Sequence, residues 1–473
     1  MARLTSNSLG SPSAAARILR AGLRSHPHDP YLWHGLAVHE TQHGAGDDAS
    51  VSLARRYFRR AIACRADLPH PYHAWGLWES RRGRPEMGLA ILRRGLEQVP
   101  GREGHRLCHA CGTVEARLGM WARAERSYRR GIAGVPAWHR ARSFLCTGLG
   151  AVYAKSRRRE RARKYFREGL RDNQRHAQGW AAWALAEERE FKDVEAARKV
   201  YAEAVGRYEA SCRNGRGLRA SARNSGNKWV TVYRHWANLE KKEGDFKAAS
   251  DIYARGVEAF DNDWKLWVDW AKTLYDDGEA IDLVELTFEE ALTRAGTSTA
   301  DPYRTYAEYQ MDLGRPYRAR AIFQHGAATV SDSDDGRPRG LAPLFHSWAV
   351  CEWSAGGPPD RAARLFDLAL QHAPARSSPD AAGPPVRAGE GDARLVRSWI
   401  LLSRARFELF GRENARLAGH YASMAVVEHG GGGTPEAWTL WGDVACRLRD
   451  PGHARTCFER AIELRSRGRG KKG

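Results

Sequence analysis

Residues 229–260, WVTVYRHWANLEKKEGDFKAASDIYARGVEAF, carry the pattern that decides the fold. They predict two helices that face each other across a short turn at residues 243–245. The first helix places Tyr233, Trp236 and Glu240 on one stripe, because residues spaced i, i+3 and i+7 share a helical face. The second helix has a stripe of its own, formed by Ala249, Tyr253, Gly256 and Val257. Such a pair cannot bury its apolar faces alone, so it requires copies on both sides.

The large residue in the middle of each second helix, which we call the marker residue, shows that these copies exist. The markers are Leu19, Phe58, Leu92, Tyr128, Phe166, Tyr201, Tyr253, Phe288, Phe323, Phe366, Tyr421 and Phe458. Gly or Ala stands three positions after every marker but Tyr421, where the residue is Met424. Because Gly inside a helix costs about 0.5–1 kcal/mol relative to Ala, its repeated use predicts close helix crossings.

The first helices repeat as well, with an aromatic residue or Cys followed by Trp, Tyr, Cys or Leu and then most often by Glu. We interpret the aromatic stripe as core between successive helix pairs rather than as a platform for stacking bases. The recurring Glu either hydrogen-bonds a neighbouring repeat or is solvated. The copy around Trp399 is degenerate, and its register is not defined by the pattern. We therefore predict an all-α protein, an α-solenoid with a right-handed superhelix of about eleven antiparallel helix pairs after one lone helix.

The composition of the 473 residues limits the class of protein. Seventeen Trp and 42% hydrophobic residues favour a folded chain. No apolar run approaches the roughly 20 residues that a membrane helix needs, so we expect no membrane span. The eight Cys follow no framework pattern, which fits free thiols in a reducing compartment.

The formal net charge of +20 is distributed unevenly along the chain. Residues 1–228 hold 43 Lys and Arg against 21 Asp and Glu, whereas residues 229–464 hold 28 against 35. The last nine residues add five bases and no acid. A basic N-terminal half favours a polyanionic partner, and a merely well-solvated alkaline protein is the alternative.

These observations predict the organisation of the chain. We expect a short N-terminal extension at 1–11, a basic repeat array at 12–210, a basic insertion at 211–228, a continued array at 229–464 with insertions at 331–340 and 372–392, and a basic disordered tail at 465–473. Residues 1–28 contain no Asp or Glu, a composition typical of an organelle transit peptide, and the first acidic residue is Asp29. They also match a second repeat helix, and we favour a helix that begins near Pro12.

Several segments resemble half-a-tetratricopeptide (HAT) repeats: ARRYFRRAI (54–62), ARKYFREGL (162–170), ARKVYAEAV (197–205) and ARTCFERAI (454–462). Each is paired with an aromatic first helix such as HAWGLWESRRG (73–83). HAT repeats are typical of proteins in RNA metabolism. The Trp-Gly form of the first helix looks most like plastid HAT proteins that bind and protect the 5′ regions of chloroplast transcripts. The resemblance thus implies a chloroplast location, with the nucleus as the alternative because crooked-neck-like splicing scaffolds share the repeat.

Catalytic chemistry finds little support in the sequence. It lacks a Gly-rich phosphate loop, a nucleophile elbow and a zinc-protease His-Glu motif, so we expect no enzyme, no cofactor and no small-molecule substrate. His105, Cys108 and Cys111 have the spacing of metal ligands, but no second ligand pair follows at usable distance. We interpret the two Cys as packed thiols in stripe positions and expect no metal.

Basic clusters at the turns between helices are the better candidates for a site. Arg suits phosphate because its planar fork donates two parallel hydrogen bonds. The candidate RNA-binding residues are Arg81, Arg82, Arg84, Lys155, Arg157, Arg158, Arg159, Arg161, Arg213, Arg216, Arg219, Arg223, Lys241 and Lys242.

We expect sequence-specific binding of single-stranded RNA along a surface lined by first helices, at about one base per repeat. The bound protein would protect, stabilise or help to process the RNA by steric exclusion, which needs no catalytic residue. The competing hypothesis is a protein-binding scaffold, for example a subunit of a splicing or RNA-processing complex, with other proteins as its partners.

Overall fold

The computed structural model describes residues 12–44, 48–99, 103–136, 139–171, 173, 175–213, 228–297, 299–331, 340–373, 390–428 and 433–469. Within these ranges the regular secondary structure is helical, without a strand. The described residues form two compact units, the first ending at Asp245 and the second beginning at Phe246.

Twelve helices make up the described part of the first unit. They are α1 (Pro12–Ser25), α2 (Pro30–His43), α3 (Asp48–Cys64), α4 (Pro69–Arg81), α5 (Pro85–Gln98), α6 (His105–Arg117), α7 (Trp121–Ala133), α8 (Arg140–Lys155), α9 (Arg159–Arg171), α10 (Ala177–Arg189), α11 (Val194–Arg213) and α12 (Lys228–Glu243). The lone helix α1 begins at Pro12, as predicted. Thereafter even-numbered helices are first helices and odd-numbered helices are second helices.

The described part of the second unit continues this order. Its helices are α13 (Phe246–Ala259), α14 (Trp264–Asp277), α15 (Ile281–Ala295), α16 (Asp301–Asp312), α17 (Pro316–Ser331), α18 (Leu341–Ser354), α19 (Pro359–His372), α20 (Glu390–Arg406), α21 (Ala415–Glu428), α22 (Pro435–Arg447) and α23 (Pro451–Arg469). A π-helical turn, Phe407–Gly411, follows α20. The predicted all-α solenoid of helical repeats is confirmed.

Stacked rings join successive repeats, and they explain why the aromatic stripes recur. Several aromatic markers lie nearly parallel to the middle aromatic residue of the next first helix. These pairs, with their centroid separations, are Phe58–Trp75 (5.8 Å), Phe166–Trp183 (6.1 Å), Tyr201–Trp236 (6.4 Å) and Phe323–Trp348 (6.1 Å). The markers in these pairs are fully buried. The prediction that the stripes form the core between repeats is confirmed.

Small residues after the markers permit the close crossings that the sequence predicted. A Cβ added to Gly95 would lie 2.7 Å from Cγ of Tyr72, on the first helix of the same repeat. One added to Gly326 would lie 2.6 Å from Cβ of Tyr303. Any larger residue would push these helix pairs apart.

Some boundaries differ from the expected organisation. Helix α11 continues to Arg213, inside the stretch 211–228 that was expected to be an insertion, and α23 continues to Arg469. The segments 214–227, 332–339, 374–389 and 470–473, which include most of the expected insertions and the end of the tail, lie outside the described residues.

Among the described residues of the second unit, one histidine is buried in a largely apolar environment. His346 on α18 is 4% exposed, with its ring 5.8 Å from Phe366 and 3.6 Å from Trp399. Within the described residues, neither ring nitrogen has a hydrogen-bond partner. Burial, reinforced by the positive charge of Arg304, lowers the pKa of His346 from 6.5 to about 3. The ring is therefore neutral in the folded chain at neutral pH.

This burial predicts an acid-sensitive second unit. The unfolded chain takes up a proton at this position below pH 6.5 and the folded chain does not, so stability falls as the pH drops. Between about pH 7 and pH 5 the loss from this residue should be about 2 kcal/mol. We expect His346→Phe to remove that share of the pH dependence of urea unfolding. The control is His372→Phe, at an exposed ring; a variant at His346 with the wild-type pH dependence would contradict the prediction.

Candidate nucleic-acid interface

Some arginines form an ion pair between successive repeats, which we call the inter-repeat clasp. These arginines stabilise the fold and are not available to bind a ligand. Arg163, three residues before the marker on α9, donates to both carboxylate oxygens of Glu187 on α10, at 2.8 and 2.9 Å. Trp183 Nε1 donates to the same carboxylate over 3.1 Å. The stripe Glu is thus hydrogen-bonded by the preceding repeat, which decides the alternative that the sequence left open.

The same clasp recurs along both units. Its members are Arg55–Glu79, Arg163–Glu187, Arg198–Glu240 and Arg320–Glu352, each with a Trp Nε1 donating to the Glu. In the first of them, burial tends to raise the pKa of Glu79, but hydrogen bonds from Arg55 and Trp75 outweigh it and lower the pKa. Glu79 therefore takes part in its clasp as a carboxylate.

In two repeats the same two positions are in contact through a hydrogen bond in place of the Arg–Glu ion pair. Glu125 occupies the Arg position on α7, and Tyr153 occupies the Glu position on α8; the Tyr153 hydroxyl donates to Glu125 over 2.9 Å. Glu285 and Gln310 form the corresponding pair in the second unit, where the amide donates to the carboxylate over 2.9 Å. Because the partners change together, the contact itself is what each repeat requires.

The first predicted cluster is only partly accessible. Arg81 and Arg84 are exposed, at the end of α4 and just before α5. Arg82 is 7% exposed, and its guanidinium carbon lies 4.9 Å from the centroid of the Trp78 ring. Desolvation lowers the pKa of Arg82. Arg82 therefore belongs to the turn between α4 and α5 rather than to a surface that phosphate reaches.

The run from Lys155 to Arg161 meets acids of the following repeat. Lys155 pairs with Glu190, whose backbone carbonyl accepts a hydrogen bond from Arg157. Arg159 pairs with Asp193. Arg158 instead pairs with Glu125 of the preceding repeat over 3.5 Å, and Arg161 is exposed. Most of this run therefore takes part in intramolecular ion pairs and hydrogen bonds.

Of the remaining predicted residues, two lie at a groove, one ends a helix and three are outside the described residues. Lys242 pairs with Glu188 over 2.6 Å. With Lys241 it borders a groove of about 410 Å³, which is also lined by Arg189, His235 and Asn238. Arg213 ends α11, and the predicted residues Arg216, Arg219 and Arg223 lie outside the described residues.

The structure shows a set of cations on the exposed face of the second helices, and all of them except Arg161 were missed by the sequence reasoning. These side chains stand at fixed positions five and two residues before the marker and one and two residues after it. On α3, α5, α7 and α9, those that are exposed and have no carboxylate at ion-pair distance among the described residues are Arg56, Arg59, Arg60, Arg94, Arg123, Arg126, Arg130, Arg161, Lys164 and Arg167. We call this set the basic second-helix face. The positions of these cations relative to the marker residue can be read from the sequence and could have identified this face.

Neighbouring second helices on this face lie close together. Arg130 Nη2 on α7 donates over 3.4 Å to the backbone carbonyl of Leu96 on α5. One arginine side chain therefore spans from one second helix to the preceding one, so the face is continuous there.

The C-terminal part of the basic second-helix face borders a groove of about 720 Å³ between α9, α10 and α11. Lys164, Arg167 and Arg171 line it from α9, and Arg207 lines it from α11. Arg207 lies 5.3 Å above the Trp180 ring, which is itself 2% exposed. The groove therefore offers cations to an anion, whereas its indole is not open for base stacking.

Other features of the described residues bear on alternative functions. They contain no group of three or more His, Cys, Asp or Glu placed to hold a metal ion. Cys108 and Cys111 are buried, and burial raises the pKa of Cys111 to about 12, so its thiol is protonated. None of the helices in the described part of the chain has the length and apolar character to cross a bilayer.

Comparison with known proteins supports the type of repeat. Residues 229–332 match the family model described as PRP39 N-terminal HAT repeat. No curated protein matches the chain. The match and the solenoid support repeats of the HAT/TPR type, which form scaffolds that bind RNA or protein.

Several solved structures are similar in fold. Yeast Tom70 is 10% identical, over 98% of this chain and 94% of Tom70, with a TM-score of 0.39. The human IFIT1 dimer with PPP-AAAA is 14% identical, over 91% and 90% of the two chains, with a TM-score of 0.33. A tetratricopeptide repeat protein from Parabacteroides merdae is 14% identical, over 60% and 98%, with a TM-score of 0.30. At such low values, what these proteins bind is not transferred to this chain.

Proposed function

We propose that this protein is a non-enzymatic repeat scaffold that binds single-stranded RNA through the basic second-helix face. The observation that carries the proposal is the register of that face, because ten exposed cations without carboxylate partners recur at fixed positions on α3, α5, α7 and α9. An array of such cations neutralises the regularly spaced charges of a polyanion and releases its counterions. The proposal puts the RNA on second helices, in contrast to the first-helix surface expected from the sequence.

The resemblance to HAT proteins of RNA metabolism supports RNA as the polyanion. A single strand can bend to follow cations that are carried by four separate helices, whereas a duplex resists such bending. Phosphate contacts of this kind give affinity without base preference. Sequence preference would require the strand to leave the basic second-helix face and also contact the groove between the first helices α10 and α12, where Asn238 and His235 lie beside Lys241 and Lys242.

We extend the proposal to protection, stabilisation or processing of transcript 5′ regions in the chloroplast, with the nucleus as the alternative compartment. This extension rests on the plastid-like first helices alone. Selection of bound sequences from a random RNA pool tests it: enrichment of a chloroplast 5′ leader supports it, and enrichment without any common sequence contradicts it.

The salt dependence of binding tests the proposed function. We expect the full chain to bind an unstructured RNA of about 20 nucleotides with a steep dependence on salt. If about five phosphates are contacted, the slope of log K against log salt should be near −3.5, and affinity should fall roughly 100-fold between about 50 and 200 mM. Fluorescence anisotropy measures both quantities.

Two results would contradict this function. One is a slope flatter than about −1, which would leave at most one phosphate contact. The other is tighter binding of a duplex of the same sequence than of the single strand, since the proposal requires the strand to be flexible.

A further inference from the structure

The second helix α15 departs from the register of the basic second-helix face. Five and two residues before its marker, Phe288, stand Leu283 and Leu286. The same two positions hold Arg123 and Arg126 on α7, and Arg161 and Lys164 on α9. The residue after the marker is Glu289, where α9 has Arg167. An outward face that is basic on α7 and α9 is therefore apolar and acidic on α15.

These apolar side chains are open to solvent. Leu286 is 55% exposed and Leu283 is 40% exposed, and they share one face of α15 because they are three residues apart. Ile281 and Tyr275, at the turn between α14 and α15, are each 40% exposed. Single exposed apolar residues are ordinary, but four within residues 275–286 form a cluster of the kind that marks an interaction site.

Acidic residues surround this cluster. Residues 275–290 contain seven Asp or Glu and no Lys or Arg. Among the described residues, Asp277, Glu279, Asp282 and Glu289 are exposed and have no ion-pair partner. By contrast, Glu285 accepts hydrogen bonds from Gln310, Arg315 and Arg318, because it belongs to the inter-repeat clasp. The unpaired acids are therefore free to meet cations of another molecule.

We propose that residues 275–289 form a docking surface for a basic amphipathic helix of a different protein. Charge complementarity identifies the occupant: the leucines require apolar residues at i, i+3 or i+4 spacing, and the acids require Lys or Arg between them. The C-terminal segment RSRGRGKKG of this chain is basic but has no apolar residue, so it satisfies only the acids. The basic second-helix face of another copy is likewise made of cations at the corresponding positions. A separate protein partner fits both features.

Designed peptides test this surface with the full chain. The probe is a labelled peptide of about 18 residues, made of Leu and Lys at amphipathic helical spacing. The controls are a scrambled peptide of the same composition and a Leu/Glu peptide with the same spacing. We expect the probe to bind and neither control peptide to bind. The double variant Leu283→Ser with Leu286→Ser should weaken binding about tenfold or more. Asp282→Asn with Glu279→Gln should also weaken it.

The matched control variant is Tyr317→Ser with Ile462→Ser, which removes two apolar side chains, 81% and 65% exposed, from the second helices α17 and α23. It should bind the probe as the wild type does. Failure of the probe to bind, equal binding of the scrambled peptide, or equal loss in the control variant would overturn the proposal. Self-association of the chain that the Leu283 and Leu286 changes abolish would show that a second copy covers the surface, which also overturns it.

Discussion

Replacing Glu187 by Ala is expected to lower the local stability of the fourth and fifth repeats by about 3 kcal/mol, the lower part of the range for breaking a buried ion pair. The side chain of Glu187 is 1% exposed, and its loss leaves Arg163 and Trp183 Nε1 without their shared acceptor. Repeat arrays do not unfold as one unit, so hydrogen exchange of α9 and α10 amides is the suitable measurement. Their exchange should become roughly 150-fold faster.

The matched control is Glu160→Ala, because Glu160 also pairs with Arg163. Its side chain is 84% exposed, and the nearest oxygen is 3.9 Å from Arg163 Nη1. Exposed pairs at this spacing contribute at most about 0.5 kcal/mol, so exchange in α9 and α10 should remain almost unchanged. If both variants behaved alike, the clasp would not be what holds successive repeats together.

Removing one cation from each of α3, α5, α7 and α9 should cost most of the RNA affinity. The variant combines Arg60→Ala, Arg94→Ala, Arg130→Ala and Arg167→Ala, all at exposed positions after the markers. Losing four phosphate contacts reduces the salt slope by about 2.8, which corresponds to a roughly 100- to 1000-fold loss of affinity at about 0.1 M salt. Anisotropy titrations at several salt concentrations give both values.

A control variant that loses the same number of charges distinguishes the loss of phosphate contacts on this face from the loss of net positive charge. Lys247, Lys272, Arg406 and Arg455 are exposed, lie on helices of the second unit and stand at none of the four register positions. Changing all four to Ala removes the same charge, and we expect the slope to stay within about one unit of the wild type. An equal loss in both quadruple variants would show that RNA responds to the overall charge and that the basic second-helix face is not its site.

Most of the fold could be predicted from the sequence, because both partners of the contacts between repeats recur in the periodic pattern. Phe58 and Trp75, for example, are both visible in the periodicity, and the structure stacks them. The degenerate repeat around Trp399 could not be placed, for a physical reason. Arg404 fills the slot of the stripe aromatic: its guanidinium carbon lies 5.7 Å from the ring centroid of the marker Phe366, and it pairs with Glu408 over 3.1 Å. A cation in an aromatic slot breaks the hydrophobic pattern.

The candidate site was harder to predict than the fold. The run from Lys155 to Arg159 is dense in sequence, but the acids that pair with it, Glu190 and Asp193, come from the next repeat. Conversely, cations such as Arg94 and Arg130 are distant in sequence and share a face only because their repeats stack. Charge density along the chain therefore did not reveal which cations are available; their register within the repeat does.

Cross-linking most directly tests the central claim that the basic second-helix face holds single-stranded RNA. The full chain would be irradiated in complex with a photoreactive, unstructured RNA, and the cross-linked peptides would be identified by mass spectrometry. We predict cross-links in α3, α5, α7 and α9, and their loss in the variant that lacks Arg60, Arg94, Arg130 and Arg167. Cross-links confined to first helices, or to residues after Phe246, would contradict the account.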